Sequence, residues 1–254
     1  MRHWRHRLLP VAVGLASLAL LAAVVELMVR SSLINPFIMP TPSSVFGSFG
    51  RLIGEEHGLA RLGATAAEVL AASVLITVVG VPVALLLHWR VRLRAAFESW
   101  VAALAAAPLV LAYPLFLVLF GRSQLTIVVM AFAAGVAPVI LKTVEGFAGV
   151  RPVLVDVGRS LRLTPSQLFW KILLPAAIPS IFVGLRLGLI FALLTVTGVE
   201  FLINIGGLGH LINELAERYD MPGTYAAITF VVLVSVIFFA ILESGERWLA
   251  RSAR

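Results

Sequence analysis

The sequence predicts an all-α polytopic membrane protein with about six transmembrane helices. Of its 254 residues, 60% are hydrophobic and 13% are charged, whereas a soluble domain carries about 25% charged residues. The mean hydropathy is +1.02, and several apolar runs reach the roughly 20 residues that a helix needs to cross the bilayer. The alternation typical of membrane strands is missing. The spans must therefore be helices, because backbone groups in lipid need partners within their own segment.

The apolar runs predict six spans, at residues 8–29, 63–87, 100–120, 125–141, 181–203 and 224–242. The third contains Pro108 and Pro114 and the fourth is short, so the ends of these two are the hardest to place. The first could be read as a signal peptide, but its apolar run exceeds the about 7–15 residues of a signal h-region. No A-x-A-like cleavage site follows it, so we expect a retained first helix.

Basic residues predict the orientation. With the N-terminus in the cytoplasm, fourteen of the 20 Lys and Arg residues fall on the inner side and five on the outer side, with Arg186 inside a span. All five tryptophans also fall at or near the inner interface, where indole rings prefer to lie. The positive-inside rule then predicts an inner-membrane protein with both termini in the cytoplasm. The net charge of +7 comes from these loops, so we expect contact with lipid and not with nucleic acid.

Two outer segments are expected to contain short helices. After the first span, "NPFIMPTPSSVFGSFGRLIGEEHG" predicts an extended stretch and then a helix that begins after Pro42-Ser43. After the fifth span, "NIGGLGHLINELAERYDMPG" predicts a glycine turn and an amphipathic helix, with one apolar side formed by Leu211, Ile212, Leu215 and Ala216. The GGLG stretch at 206–209 follows no strand, which favours a turn over a nucleotide-binding loop.

The longest predicted cytoplasmic segment covers residues 142–177. Arg151-Pro152 suits a helix start, and an apolar stripe at helical spacing follows it, formed by Leu154, Val157 and Leu161. This first helix should stop by Leu163. Thr164-Pro165-Ser166-Gln167 then has the composition of a capping box with proline at the first helical position.

A second apolar face follows the capping box, formed by Leu168, Phe169 and Ile172. Pro175 and Pro179 are expected to end this element before the next span begins. The segment should therefore fold as two short amphipathic helices at a sharp angle. Such a pair could lie on the bilayer surface or insert into a groove on a soluble partner, and physical reasoning alone leaves both open.

The pattern D-V-G-R-S-L-R-x9-I-L-L-P, which begins at Asp156, resembles the EAA loop of the membrane subunits of ABC importers, E-A-A-x3-G-x9-I-x-L-P. The spacing to Ile172, Leu174 and Pro175 fits without a gap. The departures are Asp156 for Glu, Val157 and Gly158 for the two alanines, and Arg162 for the glycine. Arginine adopts a positive φ less freely than glycine, which bears on the geometry of this turn.

Five further stretches look like segments of the nitrate, sulfonate and taurine branch of these permeases. They are "PTPSSVFGSF", "YPLFLVLFG", "APVILKTVEGF", "LPAAIPSIFVGLRLGL" and "GVEFLINIGGLGHLI". Each alone is weak evidence, but their order and spacing extend the resemblance over most of the chain. The chain is therefore identified as similar to this branch of binding-protein-dependent importers.

The resemblance implies a type I ABC importer permease fold, with one transmembrane domain over residues 1–254, a core permease region at about 60–245 and a coupling loop at 142–177. It also implies a homodimer, cytoplasmic ABC ATPase subunits below and an extracytoplasmic solute-binding protein above. The cargo would be nitrate, a sulfonate, taurine or a heterocyclic vitamin precursor. The implied ATPase-coupling residues are Asp156, Gly158, Leu161, Arg162, Thr164, Pro165, Ile172, Leu174 and Pro175.

Motifs for catalysis are missing. No G-x-x-x-x-G-K-[ST] occurs, so ATP hydrolysis is expected on a separate subunit. The five histidines form no H-E-x-x-H pair, no serine lies in G-x-S-x-G, and cysteine is absent, so neither an enzyme nor a bound metal or cofactor is expected.

The alternative function is a secondary transporter or channel without an ATPase, which inverted repeats would indicate. A membrane-embedded enzyme would need a catalytic cluster at one face.

Four charged residues lie inside predicted spans, namely Glu26, Glu68, Arg186 and Glu200. Each costs roughly 2.5–3.5 kcal/mol at a helix centre. Glu26 and Glu68 are near outer ends where partial hydration is easy, so we expect them to be structural or boundary residues. Arg186 lies in the first turns of the fifth span and can extend inward to water. Glu200 is the candidate gate or pathway residue, and an ordinary hydrogen-bonded carboxyl between helices is an equally good hypothesis.

Overall fold

The computed structural model describes residues 2–252. Within that range the chain is helical and contains no strand, which confirms the all-α prediction. The helices, in chain order, are α1 (Arg2–Arg30), α2 (Pro42–Gly54), α3 (Gly58–Trp89), α4 (Val91–Ala106), a 3-10 helix (Leu109–Ala112), α5 (Tyr113–Phe120), α6 (Gln124–Ala148), α7 (Pro152–Ser160), α8 (Pro165–Leu168), a π-helical turn (Phe169–Leu173), α9 (Leu174–Ile203), α10 (Leu208–Glu217) and α11 (Met221–Ser252).

Among the described residues, five helical segments, in α1, α3, α6, α9 and α11, are long and apolar enough to cross a membrane, and the bent stretch from α4 to α5 can make a sixth. The prediction of about six spans is confirmed. The third span is the exception, because residues 100–120 do not form one helix. The chain bends there by 87° between Ala106 and Leu109. Pro108 lies in the break and has no N–H with which to continue the helix.

The other membrane helices extend beyond the predicted spans. α6 continues to Ala148, and α9 begins at Leu174 instead of residue 181, because hydropathy reads only the apolar part of a longer helix. The prediction that Pro175 and Pro179 end the element before the fifth span was wrong. Pro175 lies in the first turn of α9, where proline is tolerated, and Pro179 lies inside the helix, where it removes one backbone hydrogen bond.

Contacts group the chain into two compact units. The first contains residues up to Leu59 together with Leu211–Val231, and the second contains Ala60–His210 together with residues from Val232 onward. In the first unit, Glu26 of α1 accepts hydrogen bonds from the Ser43 backbone N–H at 3.0 Å and from its hydroxyl at 2.8 Å. Glu26 therefore has the structural role expected of it. The short helix predicted after Pro42-Ser43 is present as α2, which begins at Pro42 itself.

The core of the second unit lies among α3, α6 and α9. Ile76, Met130 and Val196, one from each helix, are completely buried. α6 and α9 approach closely where Gly135 faces Gly188, since a Cβ on Gly188 would lie 2.7 Å from the Gly135 carbonyl oxygen. Small residues at such a crossing allow two membrane helices to pack backbone against backbone. This close pair supports the elements at both ends of α9.

Candidate functional site

Two sites emerge from the structure, one at each end of α9. The first comprises residues 151–175, which join α6 to α9; we call it the inner element because the basic residues predict it on the cytoplasmic side. Pro152 occupies the first turn of α7, as predicted. Thr164 caps α8, because its hydroxyl accepts the Gln167 N–H at 3.3 Å while the Gln167 side chain accepts the Thr164 N–H at 3.0 Å. The predicted capping box is confirmed.

The turn between α7 and α8 depends on Arg162, which has a φ of +54°. The Arg162 N–H donates to the Arg159 carbonyl at 2.9 Å, and the Leu163 N–H donates to the Gly158 carbonyl at 3.1 Å. A left-handed residue that ends a helix in this way is usually glycine. The chain therefore forms the tight turn with an arginine where the family pattern has glycine.

Gly158 brings the two arms of the inner element together. It is buried, and a Cβ built on it would lie 2.7 Å from the Ile172 Cδ1 and also too close to the Leu168 Cδ1. Leu168 and Ile172 of the second predicted apolar face therefore pack against α7. Only a residue without a side chain fits at this contact unless the leucine or isoleucine moves.

The first apolar face of the inner element remains exposed. Leu154, Val157 and Leu161 all lie at the surface of the chain, with Leu161 69% exposed. Beside them Asp156 forms an exposed ion pair with Arg159 at 3.6 Å. Contiguous exposed apolar side chains of this kind mark a surface that contacts a partner or a membrane.

The inner element is joined firmly to the helices above it. α8, the π-helical turn and α9 follow one another without a gap from Pro165 to Ile203. Phe169, in the π-helical turn, stacks on Phe147 of α6 with ring centroids 5.9 Å apart and meets Trp89 of α3 edge-on at 5.7 Å. The inner element is thus in contact or continuous with three membrane helices, α3, α6 and α9.

The second site comprises residues 204–209, between α9 and α10; we call it the outer turn because the sequence predicts it on the outer side. Glu200 of α9 is completely buried. Its Oε1 accepts the Thr65 hydroxyl of α3 at 2.7 Å, and its Oε2 accepts the Gly209 N–H at 2.8 Å. Thr65 in turn accepts the Leu208 N–H at 2.8 Å. Glu200 and Thr65 together accept hydrogen bonds from the first two N–H groups of α10. Of the two hypotheses for Glu200, a gate residue or a hydrogen-bonded carboxyl between helices, these contacts support the second.

Glycines allow this arrangement. Gly206 has a φ of +85°, and a Cβ on Gly207 would lie 2.8 Å from the Glu200 Cδ. The expected turn at GGLG is therefore confirmed. On the other side of the turn, the Arg122 guanidinium donates to the Ile203 carbonyl at 2.5 Å and to the Asn204 carbonyl at 2.8 Å. A cation is favourable at the C-terminus of a helix, so both helix ends at the outer turn are satisfied.

Glu68 is the site residue that sequence reasoning missed. It was expected to be a structural or boundary residue near an outer end, and the structure buries it, since Glu68 is only 4% exposed. Its carboxyl interacts with that of Glu200, and neither of its oxygens has a hydrogen-bond donor among the residues that the structure describes. Only the packing of α3 against α9 brings the two carboxyls together, and no signal in the sequence indicates that pairing.

Arg186 is also placed differently from the prediction. Because α9 begins at Leu174, Arg186 lies twelve residues into the helix and not in its first turns. Its guanidinium lies over the Phe239 ring of α11, 4.3 Å from the ring centre. A cation–π contact of this kind stabilises a desolvated charge, and it holds the side chain against α11.

Comparisons with known proteins agree with this architecture. A family model described as "binding-protein-dependent transport system inner membrane component" matches residues 76–254. The taurine transport system permease protein of Escherichia coli is 25% identical over 246 residues, which cover 95% of this chain and 88% of that protein. The formylaminopyrimidine transport permease protein of Halalkalibacterium halodurans is 25% identical over 215 residues, with 85% and 86% covered.

A solved structure shows the same fold. One chain of the MetNI methionine ABC transporter, in an inward-facing conformation, superposes with a TM-score of 0.60 at 20% sequence identity. The match covers 78% of this chain and 95% of the other. The long pair α6 and α9 and the elements attached to it thus belong to an architecture already seen in a transporter.

Proposed function

Because the chain belongs to the family of binding-protein-dependent transport system inner membrane components, we propose that its inner element docks on a separate cytoplasmic ATPase. The chain is a multi-pass membrane permease of the ABC importer type, with the fold of a type I importer permease. The alternative of a secondary transporter or channel is not favoured by these matches. ATP hydrolysis is assigned to the partner, since the sequence has no phosphate-binding loop.

The observation that carries the proposal is the exposed apolar stripe of Leu154, Val157 and Leu161 on an element continuous with α9. An amphipathic helix that presents such a stripe can insert it into a hydrophobic groove of a partner. The same element is braced by Phe169 against α3 and α6. When the ATPase closes, it would bind one conformation of the permease more tightly than the other, and α9 would move together with the inner element.

The remaining parts of the assembly follow from the family. We assign the loops that carry α2 and α10 to the outer side, with both termini in the cytoplasm of an inner-membrane protein. One transmembrane domain, with its core at about residues 60–245, would pair with a second copy to enclose a path. A solute-binding protein would deliver the cargo to the outer side. The solute-binding protein would determine which solute is transported.

Glu200 enters the proposal as a residue of the outer gate. Its carboxyl joins α3, α9 and the start of α10, so a change in the spacing of these helices would break its hydrogen bonds. A buried polar junction that has two discrete arrangements can bias a conformational equilibrium.

Capture of the ATPase tests the docking proposal. The detergent-solubilised permease is mixed with the ATPase encoded beside it, and binding is compared among wild type, Leu161→Asp and Asp156→Lys. Val91→Asp serves as the control, because Val91 is a similarly exposed apolar residue at the start of α4 and outside the inner element.

We expect the two inner-element variants to lose the ATPase while Val91→Asp keeps it, with all three variants folded by circular dichroism. Failure of the wild-type chain to bind the ATPase in any nucleotide state would reject the docking role. Equal loss in all three variants would show a general effect of surface charge instead.

A further inference from the structure

The carboxyls of Glu68 and Glu200 are neighbours in the interior of the chain, and the proposed function gives Glu68 no role. Glu68 is 4% exposed and Glu200 is completely buried, and the two carboxyls interact with each other. Both lie against the outer turn. A Cβ on Gly206 would lie 3.7 Å from the Glu68 Oε1, and a Cβ on Gly207 would lie 2.8 Å from the Glu200 Cδ.

The two carboxyls differ in their hydrogen bonds. Glu200 accepts one at each oxygen, from the Thr65 hydroxyl at 2.7 Å and from the Gly209 N–H at 2.8 Å. Glu68 lies three residues after Thr65, on the same face of α3. Neither of its oxygens has a donor among the residues that the structure describes. The contacts of Glu200 therefore suit an anion, whereas those of Glu68 do not.

Two adjacent negative charges are unfavourable at this buried position. A buried carboxylate without hydrogen-bond donors costs much free energy, and a second carboxylate beside it adds repulsion, so that adjacent carboxyls tend to hold one proton between them. Because Glu200 already has donors and Glu68 has none, the proton belongs on Glu68. A protonated carboxyl can donate through its O–H, and Glu200 is the acceptor beside it.

The other charged or titratable side chains that the structure describes give Glu68 no hydrogen bond. Two of them have contacts elsewhere at the outer turn, since Arg122 donates to backbone carbonyls and His210 contacts the Asn204 side chain. Arg61 precedes Glu68 by seven residues on the same face of α3. Others lie away from the outer ends of their helices, namely His88 in α3, Tyr113 in α5, Lys142 and Glu145 in α6, Arg186 in α9 and Glu243 in α11.

We propose that Glu68 and Glu200 form a proton-binding site, in which Glu68 carries one proton and donates it in a hydrogen bond to the Glu200 carboxylate. This bond joins α3 to α9 beside the bond from Thr65 and helps to hold the outer turn closed. When α3 and α9 separate, the Glu68 O–H bond breaks, its proton passes to water and two separate carboxylates remain. That last step rests on the proposed function, because it requires the outer turn to open during transport.

The proposal determines the sign of the pH dependence. The closed turn holds one proton that the opened turn has released, so a rise in pH favours opening by mass action. The turn should therefore be well protected at acidic and neutral pH and should loosen as the medium becomes alkaline. Glu68→Gln supplies an amide donor that does not titrate, so its outer turn should lose this dependence.

Infrared difference spectra detect the proton itself, through the carbonyl stretch of an un-ionised carboxyl. The purified wild type, Glu68→Gln and Glu26→Gln are titrated from about pH 6 to about pH 10. Glu26 is the matched control, because it accepts hydrogen bonds from Ser43 and Arg30 and so suits an anion. We expect one carboxyl band in the wild type that disappears at alkaline pH. The band should be missing from Glu68→Gln and unchanged in Glu26→Gln.

Hydrogen exchange measures how firmly the outer turn is held. The exchange rate of the amides at 204–209 in the wild type is divided by the rate in Glu68→Gln at each pH, so that the chemical pH dependence of exchange cancels. We expect this ratio to rise at least about threefold between neutral and alkaline pH. The same ratio for the turn between α7 and α8 should stay constant, since that turn does not contact the pair.

Two results would overturn the inference. The first is a wild type without the carboxyl band, and protection of the turn that depends on sodium would then identify a metal cation as the ligand of the pair. The second is a carboxyl band with a constant exchange ratio, because the proton would then not hold the turn.

Capture of the ATPase is measured on the same preparations. Normal capture together with either of those two results rejects the proton site alone. A wild-type chain that shows the band and the exchange response but captures no ATPase supports the proton site and rejects the proposed function.

Discussion

The Thr65 hydroxyl donates a 2.7 Å hydrogen bond to the Glu200 carboxyl, across 135 residues of sequence. The same hydroxyl oxygen accepts the Leu208 N–H, so one small side chain connects α3, α9 and the first turn of α10. Every partner in this chain of bonds is buried. The outer turn is therefore held by a few polar contacts whose loss can be measured.

We expect Thr65→Ala to lower the free energy of unfolding by about 1–3 kcal/mol, because it leaves a buried N–H and a buried carboxyl oxygen without their partner. Thr65→Ser keeps the hydroxyl and should retain most of the stability. Thermal unfolding in detergent, followed by tryptophan fluorescence, compares the two. Equal losses in both variants would mean that the methyl group, and not the hydrogen bonds, matters at this position.

Glu200→Gln separates the structural role of Glu200 from the gate role. The amide retains one acceptor oxygen for Thr65 or Gly209, so the variant should fold and assemble with its ATPase. If Glu200 belongs to the outer gate, transport into vesicles should fall while assembly stays normal. Wild-type transport rates in Glu200→Gln would remove the gate role and leave the carboxyl as a structural junction.

Glu68→Gln should be neutral or stabilising, in contrast to most changes of buried polar residues. The carboxyl of Glu68 has no donor among the described residues and lies beside Glu200, whereas an amide can donate to the Glu200 carboxyl. Glu26→Gln is the matched control, because Glu26 accepts two hydrogen bonds from Ser43 and the amide keeps only one acceptor oxygen, so this variant should be less stable than wild type. Melting temperatures at neutral pH distinguish the two, and destabilisation of both variants to the same extent would contradict the expectation.

Sequence reasoning succeeded where the signal is local. The start of α7 at Pro152 and the cap of α8 at Thr164 are set by residues within one turn, and both were predicted correctly. That the membrane spans are helices was predicted from the hydropathy in the same way. These features need no knowledge of which helices are neighbours.

Sequence reasoning failed where the outcome depends on tertiary contacts. The proximity of Glu68 and Glu200 arises from the packing of α3 on α9, which no local pattern indicates. The prolines were misread in both directions, because Pro108 marks a break in the third span while Pro175 lies within α9. Proline excludes one hydrogen bond, but the surrounding helices decide whether the chain bends.

Gly158→Val should open the inner element, because its side chain would enter the space of Leu168 and Ile172. We expect capture of the ATPase to fall while the helical content of the membrane spans is unchanged. A second change, Ile172→Ala, removes one of the two obstructing side chains and should restore part of the binding. No rescue in Gly158→Val/Ile172→Ala, together with wild-type binding in Ile172→Ala alone, would argue against this packing as the cause.

Arg162 offers a test in which stability should rise. Its φ of +54° costs a residue with a Cβ about 1–2 kcal/mol, and glycine adopts this conformation without that cost. Arg162→Gly should therefore slow hydrogen exchange of the amides in the turn between α7 and α8. Arg162→Ala removes the same charge but keeps the Cβ, so it should exchange as fast as wild type or faster. If both variants protect the turn equally, the guanidinium and not the backbone geometry is responsible. A protected turn in Arg162→Gly that still captures the ATPase would show that the arginine is not retained for docking.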